Sequence, residues 1–189
     1  MAITLPLETA RLTIRDFQAD DLDAIHAYAA DPLVTRYMFY GPRTFEDTRA
    51  YLERMLASQR EEPRMVWELG VNQTADQRLV GACDLTLENM DEADLGFIFA
   101  RNVWGMGYAT EAARAMVRVG FEQLGIRRIF STCDAANVAS ARVLEKAGLR
   151  REATLENHKF AKGQWWTSLL YGVSLEEWHA VQGGHSVGG

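Results

Sequence analysis

The sequence predicts an α+β domain, a mostly antiparallel sheet with helices flanking it. Three observations carry this. Strand-like segments arrive in groups, three in succession after two helices and two more at the end, which departs from the alternation of a doubly wound sheet. The three successive segments are joined by the short polar links NQTADQ and ENMDE, which suit antiparallel hairpins. A helical segment at 107–124 separates two strand-like ones, so 93–134 reads as one strand–helix–strand crossover.

Each element follows from its residues. RLTIRDF (11–17) alternates apolar and polar side chains, as a half-buried strand does. Asp20 and Asp21 open an amphipathic helix to about Ala30. Asp31-Pro32 ends it, because the residue before proline avoids the helical region. Residues 34–44 form a loop with an aromatic cluster. Thr44 followed by Asp47 resembles a capping box and starts a second helix running to about Arg60. MVWELGV (65–71), RLVGACDLTL (78–87) and ADLGFIFA (93–100) are strands. In 107–124, Ala112, Met116, Val119 and Leu124 recur at roughly helical spacing, and Gly125 is the C-cap. RRIFSTCD (127–134) is a strand, and 137–148 is a short helix from N-cap Asn137 to Gly148. A closing hairpin starts near Leu149, turns at 161–163 and returns as WWTSLLYGVS (165–174). The tail from about residue 182 is expected to fray.

With 189 residues, 48% hydrophobic and 24% charged, the chain reads as a single domain, 1–189, able to bury a core unaided. A net charge of -6 argues against direct nucleic-acid binding. It suits a basic or amine substrate, and equally plain solubility. Cys83 and Cys133 match no metal spacing and read as a reduced pair, so no metal is expected. No apolar stretch approaches the roughly 20 residues of a membrane span. MAITLPLETARL lacks the basic flank and apolar run of a signal peptide, so a cytoplasmic location is expected.

The most informative segment is RNVWGMGYATEA (101–112), which leaves a strand and enters a helix. Such a turn offers unpaired backbone N–H groups and the partial positive charge of a helix N-terminus, together a site for a pyrophosphate. Gly105 and Gly107 permit positive φ and close backbone approach. The segment half-matches a dinucleotide fingerprint, but four residues separate Ala100 from Gly105, Thr110 takes the third glycine's place, and Arg127 and Arg128 open the next strand. The binding set expected here is Val103, Trp104, Gly105, Met106, Gly107, Tyr108, Ala109 and Thr110. A glycine-rich turn without a ligand is the plain alternative.

WGMGYATEA resembles the acetyl-CoA loop of the GNAT superfamily of N-acetyltransferases, Q/R-x-x-G-x-G/A. NVASARVLEKAGL (137–149) resembles the N-x-x-S-x-x-V-x-x-K-x-G-F/L signature of its RimJ/RimL-type branch. ETARLTIRDFQADD (8–21) resembles that branch's opening T-x-R-L-x-L-R pattern, and LLYGVSLEEW (169–178) its closing strand and tail. The resemblance spans nearly the whole chain. Asn102 stands where the first motif has Gln or Arg, a change expected to tune affinity, since backbone amides do much of the binding.

The resemblance implies acetyl-CoA as cosubstrate, with an amine attacking the thioester directly. It implies that the strand at 93–100 splays from the one at 127–134 and that pantetheine enters the gap beside Phe97, Ile98 and Phe99. It makes Ser140 the donor to the departing thiolate and puts Asn137 on the cofactor. Local capping of the helix is the alternative for both, and Asn137 can do both. Arg142, Lys146 and Arg150 are candidates for the 3′-phosphate, against simple solvation. A catalytic glutamate of the RimL-type pattern falls on Lys159 here, so that base does not transfer. Asp94 is the next candidate, Glu156 and His158 could reach the cleft, and water could serve an α-amine, whose pKa lies near 8. Tyr37, Met38, Phe39 and Tyr40 border the acceptor site by resemblance, or staple the second helix. Glu111 reads as a helix-dipole partner. Trp165 and Trp166 read as core or as contacts of a homodimer. The favoured acceptor is a protein N-terminal α-amine. A small amine (aminoglycoside, polyamine or amino acid) comes second, and a CoA-binding regulator without turnover third.

Overall fold

The computed structural model describes residues 2–183, apart from the side chains of residues 182 and 183. Its strands are β1 (Leu7–Glu8), β2 (Leu12–Asp16), β3 (Val66–Gln73), β4 (Leu79–Leu87), β5 (Glu92–Phe99), β6 (Arg128–Asp134), β7 (Arg150–Ala161) and β8 (Gln164–Ser174). Its helices are α1 (Leu22–Ala29), α2 (Phe45–Ser58), α3 (Tyr108–Glu122), α4 (Val138–Lys146) and α5 (Leu175–Gly183). The strands form one eight-stranded sheet, β1-β2-β3-β4-β5-β6-β8-β7. Every neighbouring pair is antiparallel except β5 and β6, which α3 connects. The predicted mixed fold with one crossover is therefore observed.

The alternation along each strand assigns its two faces to different helices. On one face Leu69, Val71, Cys83, Leu85, Leu95 and Ile129 pack with Met116 and Val119 of α3 and Leu144 of α4. Burying a side chain of that size contributes roughly 1.5–3 kcal/mol. On the other face Phe17 and Ala82 pack with Ile25 and Tyr28 of α1 and Tyr51 and Leu52 of α2. Thr44 and Asp47 form the expected capping box at the start of α2.

Three differences from expectation have local causes. Asp21 stands at the N-cap of α1 as expected, but its side chain does not cap the helix. It lies buried in a short 3-10 turn (Ala19–Asp21), where both its carboxylate oxygens accept from Arg15 at 2.8 Å. β1 was not anticipated, since two residues carry no periodicity. The closing segment continues as α5, placed by Trp178 packing on Phe121. α5 extends to Gly183, and the rest of the tail expected to fray lies outside the described residues.

The closing hairpin holds the irregularity that matters most for the site. From Leu155 to Lys159 the chain takes four steps on β7 while β8 takes two, from Ser168 to Trp166. Asn157 turns through a left-handed conformation (φ 49°) inside this bulge. A bulge re-aims the side chains that follow it. Here it sets His158 Nδ1 3.0 Å from the Ser168 hydroxyl and Lys159 Nζ 4.4 Å from the centre of the Phe39 ring.

Candidate active site

The turn between β5 and α3 is built as its glycines require. Gly105 and Gly107 adopt φ values of 77° and 83°, a region costly for residues with a Cβ, and Gly107 stands at the N-cap of α3. The N–H groups of Val103, Trp104 and Met106 donate inside the turn, to Ala100, Arg101 and Val103. Those of Gly105, Gly107, Tyr108, Ala109 and Thr110 have no acceptor among the described residues. The amides open to an anion are thus a narrower set than the eight residues 103–110. The Met106 N–H is taken by Val103, its side chain is exposed and it does not line the cleft, while its carbonyl accepts from Arg11 at 2.8 Å.

The turn is pinned from the start of the chain. Arg11 gives Nε to Glu111 at 2.8 Å and stacks its guanidinium 4.8 Å over the Tyr108 ring. Its backbone N–H and the Thr9 hydroxyl reach the other Glu111 oxygen at 2.8 and 2.7 Å. Burial works against the charge on Glu111, yet these bonds hold its carboxyl below the usual range. Glu111 is therefore an anchor rather than a mere dipole partner. Thr9 and Arg11, which hold Glu111 and the turn, were not singled out in the sequence, although both lie in the opening motif quoted there.

Beside the turn the sheet opens. β5 and β6 pair only at Glu92, Ala93 and Asp94, opposite Arg128, Ile129 and Phe130. The buried Ser131 hydroxyl then caps the Leu95 carbonyl at 2.7 Å, and beyond it the strands part. A cleft of about 470 Å³ opens beside β5 here, between it, the turn and α4. Its walls bring together Phe97, Ile98 and Phe99 of β5; Val103, Trp104, Gly105, Gly107, Tyr108, Ala109 and Thr110 of the turn; Asn137, Ser140, Arg142 and Lys146 of α4; and Tyr37 and Met38 of the α1–α2 loop. Arg36, Ala139 and Val143, not anticipated, join them. The Trp104 indole N–H closes one corner on the Phe99 carbonyl at 2.9 Å.

Asn137 does cap α4, accepting the Ser140 backbone N–H at 3.1 Å through its side-chain oxygen. The Ser140 hydroxyl itself makes no hydrogen bond within the described residues and faces the cleft, half-buried. Arg142 and Lys146 stand exposed at the cleft, while Arg150 ion-pairs with Glu177 at 3.0 Å and stays outside it. The expected aromatic wall divides. Tyr37 and Met38 line the cleft, whereas Phe39 packs edge-on against Trp166 and Tyr40 lies under the Arg43 guanidinium at 4.5 Å. Trp166 is core and Trp165 is exposed. Asp94, Glu156 and His158 are not among the lining residues.

On the α1–α2 face, a row of carboxylates crosses the sheet next to Ile98. Glu68 of β3 pairs across to Asp84 of β4, and Asp84 to Gly96 of β5. A Cβ at Gly96 would lie 2.1 Å from Asp84 Oδ1, so the absent side chain is what lets that carboxylate lie across β5. Asp94 is two residues from Gly96, on the same face. None of the three makes an ion pair among the described residues, although the Tyr51 hydroxyl donates to Glu68. Burial pushes Asp94 up to about 6, against the pull of Lys159. Burial and Asp94 raise Asp84, and burial and Asp84 raise Glu68. A carboxyl titrating near 6 can accept a proton at neutral pH, as a general base must.

No group of three His, Cys, Asp or Glu among the described residues fits a metal ion. Cys83 and Cys133 are free and buried, and no described helix is long and apolar enough to cross a membrane.

Known proteins resemble the chain throughout. An uncharacterised N-acetyltransferase of Bacillus subtilis, YnaD, is 29% identical over 174 residues, covering 92% of this chain and 99% of that protein. The crystal structure of a GNAT-family acetyltransferase from Bacillus anthracis superposes with a TM-score of 0.81 at 30% identity, covering 89% of this chain and 98% of that one. A spermidine N-acetyltransferase from Vibrio cholerae, in complex with CoA and spermine, shares the fold at 18% identity with a TM-score of 0.77, over 90% of this chain and 99% of its own. The Acetyltransferase (GNAT) domain family matches residues 11–150. With the splayed strands and the glycine turn already in place, the chain belongs to the GNAT family of acetyl-CoA-dependent N-acetyltransferases.

Proposed function

We propose that the cleft between β5, the glycine turn and α4 holds acetyl-CoA and that the protein transfers its acetyl group to a primary amine, within the RimJ/RimL-like branch. The single observation that carries this is the convergence of free turn amides, parted strands and the unbonded Ser140 hydroxyl on one cleft. The residues fit the cosubstrate chemically. Five amides at a helix N-terminus suit a pyrophosphate, and Arg142 and Lys146 suit a further phosphate. Phe97, Ile98 and Phe99, with open strand edge beside them, suit the amide-bearing pantetheine arm.

The chemistry is a direct displacement. The amine nitrogen bonds to the thioester carbonyl carbon, the carbon–sulfur bond breaks, and the thiolate takes a proton. Ser140 supplies that proton across the cleft and Asp94 removes the one the amine loses. The RimJ/RimL-type signature favours an N-terminal α-amine as acceptor, with a small amine as the second reading. A cytoplasmic location goes with it, supported by two unpaired buried cysteines. Exposed Trp165, edge-on to Phe160, is the member of the tryptophan pair that fits a homodimer contact. The test is thiol release from acetyl-CoA with a panel of small amines and short peptides. Amine-dependent release that Ser140→Ala slows by roughly tenfold to a hundredfold, the low end for losing a general acid, supports the reading. Tight acetyl-CoA binding with no release for any amine would leave the regulator in its place.

A further inference from the structure

We infer that the carboxylate row Glu68–Asp84–Asp94 is a subsite for a second cationic nitrogen on the acceptor, which makes the acceptor a short aliphatic diamine. This rests on the transferase reading and, of the two acceptors named there, takes the small amine over the protein N-terminus.

Charge comes first. Two cations face the row, Arg43 near Glu68 and Lys159 near Asp94, and neither forms an ion pair with it. Exposed Glu88 adds to the negative side. The three carboxylates are half-buried, and withdrawing charge from water without a partner is costly in proportion to that burial. With all three ionised, the row lacks at least one positive charge. An acceptor that presents one neutral amine to Asp94 and keeps a second ammonium supplies it.

A second observation is independent of the carboxylates. The Tyr28 hydroxyl is buried, the residue only 3% exposed, and has no hydrogen-bond partner among the described residues. Glu68 is its foremost charged neighbour, and Tyr40 stands close by. Buried polar atoms are rarely left without a partner unless a ligand or a rearrangement provides one. A phenolic oxygen beside a carboxylate accepts an ammonium N–H. The neighbouring rings already hold a cation, since the Arg43 guanidinium lies 4.1 Å over Tyr51 and 4.5 Å over Tyr40. Such contacts are cation–π attractions.

Spacing then selects the ligand. Glu68 and Asp94 stand on β3 and β5, two strand spacings apart across the sheet and two residues apart along it, roughly 12 Å in all, and the space between Asp84 and Glu68 lies about 10 Å from Asp94. One nitrogen at Asp94 and another between Asp84 and Glu68 are separated as in a short diamine. A divalent metal is the wrong cation, because the described residues offer no three-ligand group.

Isothermal titration of the CoA-loaded protein with a short aliphatic diamine, and with the monoamine of matched length, tests this together with the ratio of kcat/KM for the two amines. The diamine is expected to bind more tightly and to be favoured in kcat/KM. Glu68→Gln and Asp84→Asn, each checked by thermal melting, should cut that preference roughly tenfold, the effect of losing one charge-assisted hydrogen bond. Equal affinity for the two amines, or a preference unchanged in both folded variants, would overturn the subsite. Preference for a peptide N-terminus over both amines would overturn it too. Diamine binding without any acetyl-CoA turnover would break the transferase reading and leave the subsite standing. Turnover of monoamine and diamine alike would do the reverse.

Discussion

The site has two halves, the cleft and the carboxylate row on the α1–α2 face beside Ile98, whose members do not line the cleft, and they are made differently. The half around the glycine turn is made of backbone: five unpaired amides and two positive-φ glycines, locked by the Arg11–Glu111 pair. The half under α1 and α2 is made of side chains carried by three strands, with Lys159 arriving from a fourth. Backbone geometry leaves a local trace in sequence, because glycine adopts those φ values at the least cost. Side chains that meet across a sheet leave none, because their meeting depends on register. The difference predicts that variants of the first half act on cosubstrate affinity and variants of the second on protonation and acceptor choice.

The largest effect belongs to the turn. Gly107→Val places a β-branched residue at φ 83° on the anion's approach, and calorimetry should find acetyl-CoA affinity lowered at least a hundredfold. An unchanged affinity in a folded Gly107→Val protein would take the turn out of the site. Arg11→Ala should follow, with affinity down roughly tenfold, since it removes two side-chain hydrogen bonds that hold the turn. If turnover at saturating acetyl-CoA fell by as much, the division between the halves would blur.

Smaller effects sharpen the other half. Folding raises the Asp84 pKa, so its ionised form costs stability, and that cost appears as pH rises from the unfolded value through the folded one. Asp84→Asn should therefore raise the melting temperature by a few degrees above about pH 7 and change little at about pH 4. A lowered melting temperature at the higher pH would show that the row is already compensated. Asn137→Ala should cost about 1 kcal/mol by removing the α4 cap, read in a urea melt.

The order of elements and the crossover were legible because alternation, helical spacing and turn residues are local signals. The turn, the α4 signature and Tyr37 and Met38 were legible from motif order. Three things were not. The Arg11–Glu111 lock joins residues a hundred positions apart. Phe39 and Tyr40 leave the cleft because Trp166 and Arg43 hold them elsewhere, and neither contact has a sequence trace. Counting along β7 reached Lys159 without showing that a bulge would set it facing Asp94. Glu68 and Asp84 were not singled out, because each is the one acidic residue of its strand. Register alone lines them up, and the missing side chain at Gly96 makes the room.

The division between the halves is tested most directly by the pH dependence of kcat/KM for one amine, measured in the wild type and in Asp94→Asn alongside acetyl-CoA affinity. A base is active once deprotonated, so the rate should climb as pH rises through about 6, the titration of Asp94. The amine must also lose a proton, at a pKa of about 8 or above. Below about pH 6 the logarithm of the rate should therefore rise with a slope near two, and above it with a slope near one. Asp94→Asn should show a slope near one throughout, at a lower rate, with acetyl-CoA affinity unchanged. A wild-type profile without the break near pH 6, or an Asp94→Asn profile that keeps it, would contradict the account and hand the amine's proton to water.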